Sequence, residues 1–319
     1  MQKLLEKINQ RVVSLKIPAK PEQLYNPVAY TLSLGGKRMR PLLTLLGYSL
    51  FKKNYERALD AAVAVEVFHN FTLLHDDIMD NAPIRRGKPT VWQKWGSSTA
   101  ILSGDAMLIL AYELLTDYEP VVLKKILPVF NKTALQVCEG QQLDMDFESK
   151  KNVSIADYLY MIELKTAVLL GSALKLGAII AGAKEKDAEL LYEFGKNTGI
   201  AFQLQDDILD VFGETEKVGK QTGGDIISNK KTFLLLKAFE LADKKTAAKL
   251  KLLLNEKDEQ KKVTGVKEIY HQLEVKKLAE KEMQKFYKKA LSSLEKVNAD
   301  TKKKKVLTDF TEQLMQRQS

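Results

Sequence analysis

Two short stretches of the sequence place three carboxylates in the same pattern. The stretches "LHDDIMD" (74–80) and "QDDILD" (205–210) each carry two adjacent aspartates and a third one three residues later, within otherwise apolar runs. On a helix, the first and third aspartates are four residues apart and project from one face. Three negative charges within one turn destabilise a helix unless a cation lies between them. The repeated pattern therefore predicts two helix ends that bind a cation.

Magnesium is the cation that these aspartates favour. Mg²⁺ prefers oxygen ligands, binds few carboxylates and keeps open positions for water and substrate phosphates. One such stretch alone is also typical of an acidic surface turn, whereas two copies inside apolar helices favour a metal site. Two facing helices of one bundle would present the aspartates across a shared cavity. The predicted metal-site residues are Asp76, Asp77, Asp80, Asp206, Asp207 and Asp210.

One basic loop precedes the first acidic stretch, and others follow each of the two stretches in the sequence. Guanidinium groups suit bidentate contacts to phosphate, and ammonium groups add positive charge. Each loop alone also fits a solvated basic surface, but the placement beside the aspartates predicts a site for a phosphate-rich ligand. The residues concerned are Lys37, Arg38 and Arg40 in "GGKRMRP", Arg85 and Arg86 in "RRGKPT", and Lys220 and Lys230 after the second stretch.

The elements that must position these residues are helices. The chain has 319 residues, is 45% hydrophobic and contains only 17 Gly and 8 Pro, as expected for long helices with few tight turns. Helical periodicity dominates, without an Asn-Gly or Asp-Gly hairpin signal. The predicted long helices cover 58–81, 98–117, 121–147, 155–182, 187–212 and 230–253. Since no linker interrupts the chain, we predict an all-α fold with one domain over residues 1–319.

Charge and rare residues exclude several classes of protein. The net charge is +9, but no zinc-finger spacing, RNA-binding strand motif or helix-turn-helix accompanies it, so we expect no nucleic-acid partner. The sequence has no HExxH, CxxC, G-x-S-x-G or Walker A motif, which argues against a zinc site, a nucleophilic serine and nucleotide-driven chemistry. The single cysteine, Cys138, and the lack of about 18 consecutive uncharged apolar residues predict a cytoplasmic protein without a membrane span.

A set of motifs between residue 30 and about residue 235 resembles a known family. The motifs are "GGKRMRP", "LLHDDIMDNAPIRRGKPT", "LKTA", "AFQLQDDILD" and "GKQTGGDIISNKKT". In this order they resemble the trans-type isoprenyl diphosphate synthases, the polyprenyl synthetase family. The resemblance implies an isoprenoid-synthase-type helical bundle around a central cavity, usually a homodimer. It also implies Mg²⁺ as cofactor, with three ions when diphosphate is bound.

The resemblance also implies roles for individual residues. Asp76, Asp80 and Asp206 resemble the magnesium ligands, with Asp77, Asp207 and Asp210 in support. Asn229 stands where many members have glycine, and the C-terminal "QRQS" is less basic than in some relatives. Isopentenyl diphosphate would be bound by Lys37, Arg40, His69 and Arg86. The allylic diphosphate would be bound by Arg85, Lys165, Thr166, Gln203, Lys220 and Lys230.

The reaction implied is a head-to-tail (1′-4) condensation of isopentenyl diphosphate with an allylic diphosphate. The allylic diphosphate leaves, the double bond of isopentenyl diphosphate attacks the resulting cation, and a proton is lost. Three other classes stay open. A terpene cyclase would not need the isopentenyl-binding set. A non-catalytic subunit would be expected to lack some of these charges. A basic nucleic-acid-binding protein leaves the six aspartates unexplained.

The helix before the first aspartates carries residues that would set the product length. Phe71 lies five residues before Asp76, Thr72 four and Phe68 eight. By the family resemblance, an aromatic residue at the fifth position is typical of short-chain enzymes. The small Thr72 favours geranylgeranyl diphosphate (C20) as main product, with farnesyl diphosphate (C15) as the alternative. Phe71 and Phe68 also fit a role as ordinary core residues.

Overall fold

The computed structural model describes residues 1–213 and 223–315, and these ranges are almost entirely helical. The helices of the first part are α1 Gln2–Val13, α2 Glu22–Ser33, α3 Met39–Ser49, α4 Leu59–Met79, α5 Val91–Trp95, α6 Ser97–Thr116 and α7 Pro120–Ser149. The others are α8 Ile155–Ile162, α9 Val168–Ile180, α10 Glu185–Phe212, α11 Gly224–Ile227, α12 Phe233–Leu241, α13 Lys244–Leu254, α14 Glu259–Gln272, α15 Val275–Glu295 and α16 Thr301–Met315. The prediction of an all-α fold is confirmed.

The chain divides into two compact units, each built from separate segments. Unit 1 consists of Met1–Lys132, Ser172–Tyr192 and Asn298–Asp300. Unit 2 consists of Thr133–Gly171, Glu193–Val297 and Thr301–Ser319. Because the chain passes between the units several times, no single linker separates them. That residues 1–319 form one domain stays a prediction.

Helix α4 forms the centre of unit 1. Its residues from Ala61 to Phe68 are all buried, and it packs against α3 and α6. Backbone contact between α3 and α9 adds to this core: a Cβ atom at Gly177 would lie 1.9 Å from the Thr44 carbonyl oxygen. Only glycine permits this approach. The middle of α4 is thus packed on all sides. This packing fixes the position of its last turn, which carries the first aspartates.

The core of unit 2 surrounds the C-terminal half of α10. Ile200, Leu204 and Ile208 of this helix are buried in one apolar cluster with Tyr158 and Phe233. This spacing of four residues places them on one face of the helix. Asp206 and Asp210 lie away from this face and are half-buried, whereas Asp207 lies beside it and is buried, so apolar packing separates the three carboxylates.

Two predicted helices are interrupted in the structure. Within 155–182, the residues Glu163–Ala167 form a π-helical turn between α8 and α9. Within 230–253, the chain becomes extended at Ala242, and the Asp243 side chain accepts a hydrogen bond from the Thr246 N–H at 2.7 Å, which starts α13. The prediction of one helix over 230–253 is wrong because Asp243 caps a new one.

A short hairpin follows α4. Ile84–Arg85 (β1) pairs antiparallel with Lys88–Pro89 (β2). The turn between the strands has positive φ at Arg86 (53°) and Gly87 (72°). Positive φ at both central residues is the geometry of the tightest hairpin turns. The sequence search for Asn-Gly and Asp-Gly pairs missed it because the first turn residue is an arginine.

One described helix, α6, has the length and mean hydropathy of a membrane span. It packs against α2, α4 and α5, and contains Asp105 and Glu113. Ala100, Met107 and Leu115 on its inner face are fully buried. Helices of packed cores can have the length and composition of a span. One face of α6 packs in this way, whereas Ile101, Leu102 and Ile109 on its other side are exposed.

Candidate active site

The first aspartates lie at the C-terminal end of α4, in unit 1. Helix α4 ends at Met79, Asp80 follows it and is exposed, Asp76 is half-buried, and Asp77 is only 5% exposed. A helix C-terminus carries partial negative charge, so carboxylates there are unfavourable unless a cation binds them. The second aspartates also lie in the last turns of their helix, α10, in unit 2. Both placements favour cation binding.

The middle aspartate of the first set contacts the hairpin. Arg85 Nε donates a hydrogen bond to Asp77 Oδ1 at 2.6 Å. Burial raises the pKa of Asp77, and the charge and hydrogen bond of Arg85 oppose that rise. Asp77 therefore anchors the hairpin that carries Arg85 and Arg86, while Asp76 and Asp80 lie on the more exposed side of the helix end.

Arg86 connects the hairpin with the glycine loop before α3. Its Nη1 donates to the carbonyl oxygen of Gly35 and lies 3.4 Å from Asn70 Oδ1. A Cβ atom at Gly36 would lie 3.0 Å from the Arg86 guanidinium carbon, and Gly36 has φ of +138°. Both constraints favour glycine at this position. The loop thus brings Lys37 and Arg86 to the same end of unit 1.

His69 is a half-buried histidine in this cluster of arginines. Arg40 Nη1 lies 3.0 Å from His69 Nε2. Burial, and then the positive charges of Arg40, Arg86, Arg85 and Arg38, lower the pKa of His69 well below its ordinary value. A neutral imidazole has one donor and one acceptor nitrogen. Three of the four residues predicted to bind isopentenyl diphosphate are therefore close neighbours, and Lys37 is exposed in the adjoining loop.

Arg38 does not belong to this cationic surface. Its Nη1 pairs with Glu66 Oε1 at 2.6 Å, with both side chains under 5% exposed. Its other nitrogens donate to Leu32 O at 3.0 Å and Asn9 Oδ1 at 3.2 Å. The prediction that Arg38 helps to bind phosphate is wrong, because these buried partners use the guanidinium and hold the loop from within.

The second aspartates show the same order of burial as the first. Asp206 and Asp210 are half-buried, whereas Asp207 is 3% exposed. Tyr158 Oη donates to Asp207 Oδ2, and Gln203 Nε2 donates to Oδ1 at 3.3 Å. Burial, followed by the charge of Asp225, raises the pKa of Asp207 to about 8. Asp210 Oδ2 accepts from the Asp225 N–H at 2.9 Å. Again the middle aspartate contacts protein groups.

The π-helical turn presents two of the predicted allylic-site residues. Lys165 Nζ pairs with Asp144 Oδ2 at 2.6 Å, and Thr166 Oγ1 lies 3.4 Å from Gln203 Oε1. Glycines let the neighbouring helices approach this turn: a Cβ atom at Gly140 of α7 would lie 2.2 Å from the Lys165 nitrogen, and one at Gly199 of α10 would lie 2.6 Å from the Ala167 Cα. Turns of this kind occur often at functional sites.

Several residues in these clusters were missed by the sequence analysis. Asp225 has its pKa raised to about 6, chiefly by burial, while Lys230 opposes the rise. Asp225 lies in the motif "GKQTGGDIISNKKT", so its position was a usable signal, whereas Asp144 lies in none of the quoted motifs. Nothing in the local sequence distinguishes Tyr158, Glu66 or Asn70 from ordinary helix residues. The predicted Lys220 lies outside the described residues.

The donor set fits magnesium better than a fully protein-bound metal. In residues 1–213 and 223–315, no three His, Cys, Asp or Glu side chains are arranged to hold an ion. Each helix end offers its two less buried carboxylates, Asp76 and Asp80 or Asp206 and Asp210. Mg²⁺ is commonly held by one or two carboxylates together with water and substrate phosphates. Such an ion would complete its coordination with the ligand.

The residues predicted to limit product length lie in an aromatic cluster of unit 1. The Phe71 ring centroid is 5.6 Å from that of Phe68 and 4.8 Å from that of His75. Phe68 also stacks edge to face with Phe130. Thr72 is half-buried and its hydroxyl donates to the His69 carbonyl oxygen at 2.8 Å. Phe68 is 1% exposed and is a core residue. Phe71 is 8% exposed, which fits either a core residue or a residue that limits product length.

Comparison with known proteins identifies the family. The model of the family described as polyprenyl synthetase matches residues 21–273. A geranylgeranyl diphosphate synthase of Methanosarcina mazei is 47% identical over 223 residues, 69% of each chain. A geranylfarnesyl diphosphate synthase of Natronomonas pharaonis is 38% identical over 72% of this chain and 73% of its own. The crystal structure of geranylgeranyl pyrophosphate synthetase from Pyrococcus horikoshii has a TM-score of 0.93 at 33% identity, covering 99% of both chains. With the paired acidic helix ends and the arginine cluster already in place, these matches show that the chain belongs to the polyprenyl synthetase family.

Proposed function

We propose that this polyprenyl synthetase is a magnesium-dependent, short-chain trans-prenyltransferase. It condenses isopentenyl diphosphate head to tail (1′-4) with allylic diphosphates, and its main product is geranylgeranyl diphosphate. The observation that carries the proposal is the cluster of Arg40, His69 and Arg86 beside the acidic end of α4. This cluster supplies positive charge for a second diphosphate that a one-substrate enzyme does not need.

We propose that both acidic helix ends bind magnesium. Asp76, Asp80 and Asp206 would hold magnesium, and Asp77, Asp207 and Asp210 would support them. Bound magnesium would supply positive charge that favours departure of the allylic diphosphate. The chain's own cations add to this effect, since charge placed where the leaving group develops lowers the barrier. These cations are Arg85, Lys165 and Lys230, and Lys220 is proposed for the same role from its sequence motif alone.

The remaining residues account for the carbon–carbon bond. The C–O bond of the allylic diphosphate breaks, and the diphosphate keeps the electron pair. The oxygens of Thr166 and Gln203 face the cation that remains. Isopentenyl diphosphate, held by Lys37, Arg40 and Arg86 with neutral His69, attacks through its double bond. The new bond forms, and the departing diphosphate accepts the proton that is lost. An apolar surrounding excludes the water that would otherwise quench the cation.

The proposed product length rests on α4 and on named relatives. Phe71 in the fifth position before Asp76 supports a short product, and the Methanosarcina mazei relative is named for the C20 diphosphate. Farnesyl diphosphate is the alternative on the shorter side. A relative at 38% identity is named for the longer geranylfarnesyl product, so the residues around Phe71, rather than overall identity, are proposed to determine the length.

We propose that the partners are the two diphosphate substrates and a second copy of the chain, in the cytoplasm. The support for a homodimer is the exposed apolar surface of α6, formed by Ile101, Leu102 and Ile109. Since an exposed apolar patch is typical of an interaction surface, Leu102→Glu should convert a dimer to a monomer in light scattering. A monomeric wild type would contradict the dimer, and an unchanged dimer mass of the variant would contradict its placement on α6.

The activity is tested with radiolabelled isopentenyl diphosphate and each allylic starter, with Mg²⁺ or with EDTA. Chromatography of the products should show elongation only with Mg²⁺ and a starter. Asp76→Ala, with an unchanged circular dichroism spectrum, should lose most of the activity. If no starter is elongated, the proposed prenyltransferase activity is rejected. Release of a cyclic hydrocarbon from an allylic diphosphate alone would identify a terpene cyclase instead.

A further inference from the structure

Tyr158 is a buried side chain with a defined polar partner that the proposed mechanism does not use. It is 1% exposed, and its hydroxyl donates to Asp207 Oδ2. The start of its helix, α8, is fixed by a capping box in which Ser154 and Asp157 exchange hydrogen bonds of 3.0 Å. Tyr158 directly follows this cap. The phenol is therefore held on a rigid helix start rather than on a loop.

The contact continues from Asp207 toward the π-helical turn. Gln203 Nε2 donates to Asp207 Oδ1 at 3.3 Å, so the opposite atom of that amide, Oε1, faces Thr166 Oγ1 at 3.4 Å. An amide nitrogen donates and an amide oxygen accepts, so the hydrogen bond from Nε2 to Asp207 leaves Oε1 on the side of Thr166. The orientation of the Asp207 carboxylate thus determines which Gln203 atom meets Thr166.

The surroundings of Asp207 explain why a second donor is needed. The carboxylate is 3% exposed, and the negative charge of Asp225 acts on it together with burial. A buried carboxyl group is held in one orientation by hydrogen bonds to its two oxygens. Gln203 supplies the donor to Oδ1 and Tyr158 the donor to Oδ2.

We propose that Tyr158 is a positioning residue for the allylic diphosphate: by fixing the Asp207 carboxylate it sets the Gln203 amide and, through it, the Thr166 hydroxyl. This inference rests on the proposed function, in which Gln203 and Thr166 face the allylic substrate. In this proposal Asp207 contacts only protein groups. Its role therefore differs from that of its neighbours Asp206 and Asp210, which we propose as metal-site residues.

The test is steady-state kinetics of Tyr158→Phe, which removes only the hydroxyl. The KM for the allylic substrate should rise about tenfold, the size typical when an orienting partner is lost. The KM for isopentenyl diphosphate and the magnesium concentration at half-maximal rate should change less than twofold. Tyr160→Phe is the matched control, because Tyr160 is exposed on the same helix, and all its constants should equal those of the wild type.

A second variant tests the path from Tyr158 to the site. Gln203→Met should raise the allylic KM, and adding Tyr158→Phe to it should change that KM less than twofold further, since the path is already broken. Full additivity in the double variant, or a normal allylic KM in Tyr158→Phe, would overturn the proposal. A rise confined to the magnesium requirement would overturn it as well, by making Asp207 a metal ligand.

The two hypotheses fail in different ways. If the wild-type protein elongates no starter, the proposed function fails. If the wild type is active and only the predicted change in allylic KM is missing, the role of Tyr158 fails alone. Should Tyr158→Phe not fold, as judged by circular dichroism, Gln203→Met still decides, because a normal allylic KM in that variant removes the last contact on which the proposal depends.

Discussion

Arg85 Nε donates a hydrogen bond to Asp77 Oδ1 at 2.6 Å, and this pair joins the acidic end of α4 to the hairpin that follows it. Asp207, in the other unit, is likewise the middle aspartate of its pattern. It also contacts protein groups, the side chains of Tyr158 and Gln203. The three aspartates of each pattern are therefore not equivalent. The middle one is buried and contacts a cationic, amide or phenol side chain, whereas the outer two are more exposed and are the ones we propose as magnesium ligands.

Asp77→Asn and Asp80→Asn should therefore affect different constants. Loss of the Asp77 charge weakens the anchor of Arg85, so the KM for the allylic substrate should rise about tenfold. Loss of the Asp80 charge should instead raise the magnesium concentration needed for half-maximal rate by about 10- to 100-fold. Magnesium titrations of both variants at saturating substrates measure the difference. Equal shifts in magnesium requirement would show that Asp77 is a ligand too.

Arg38→Met should destabilise the fold, although Arg38 lies in a loop that carries binding residues. The variant leaves the Glu66 carboxylate buried without its partner, which costs about 3–5 kcal/mol in the free energy of unfolding. Urea denaturation measures the loss. Lys37→Met, one residue earlier and exposed, is the control and should keep its stability while the KM for isopentenyl diphosphate rises. The double variant Arg38→Met with Glu66→Met should regain most of the stability, since the unpaired charge is gone.

His69 should give the protein a defined loss of stability in acid. Its pKa in the folded state is well below that of an unfolded histidine, about 6.5. As the pH falls below about 6.5, the unfolded chain binds a proton at this position and the folded chain does not, so the stability decreases. The slope is at most about 1.4 kcal/mol per pH unit. His69→Gln should show a shallower fall between pH 7 and pH 5 in urea denaturation. Parallel curves for the two proteins would place the acid sensitivity elsewhere.

The sequence was informative where chemistry depends on residue type and local spacing. Two copies of the aspartate pattern, and the basic loops beside them, predicted which helix ends and loops carry charge. It was not informative where a role depends on a distant partner. Arg38 and Arg40 are two residues apart, yet one pairs with buried Glu66 and the other lies beside His69. Only the packing of α3 on α4 separates them.

The interrupted helices have a similar cause. Residues 155–182 were predicted as one helix, and the π-helical turn at Glu163–Ala167 has no marker such as proline. Its position coincides with the close approach of Gly140 and Gly199 from neighbouring helices. Helical periodicity shows which face of a helix a residue occupies. It does not show where a neighbouring helix packs closely against the backbone, so a π-helical turn of this kind is recognised only in the tertiary structure.

Gly140→Ala should disturb the turn that carries Lys165. The new Cβ atom would lie 2.2 Å from the Lys165 backbone nitrogen, so α7 or the turn must move. We expect a loss of about 1–3 kcal/mol in the free energy of unfolding, as for other overpacked contacts, and a higher KM for the allylic substrate. Gly265→Ala is the control, since its Cβ atom would meet only the flexible side chain of Leu253. A normal allylic KM in Gly140→Ala would show that the turn tolerates the shift.

Phe71→Ala should lengthen the product. The ring of Phe71 lies on α4 five residues before Asp76, about 7.5 Å along the helix axis at 1.5 Å per residue, where a chain growing away from the diphosphates would meet it. Removing the ring opens space beneath the site, so chromatography of the products should shift from C20 toward C25 and longer chains. Phe310→Ala, which removes an equally buried ring (7% against 8% exposed) from α16, should lose stability without any change in chain length. If both variants give the wild-type product profile, Phe71 is a core residue, and the limit on length lies with Thr72 or another side chain.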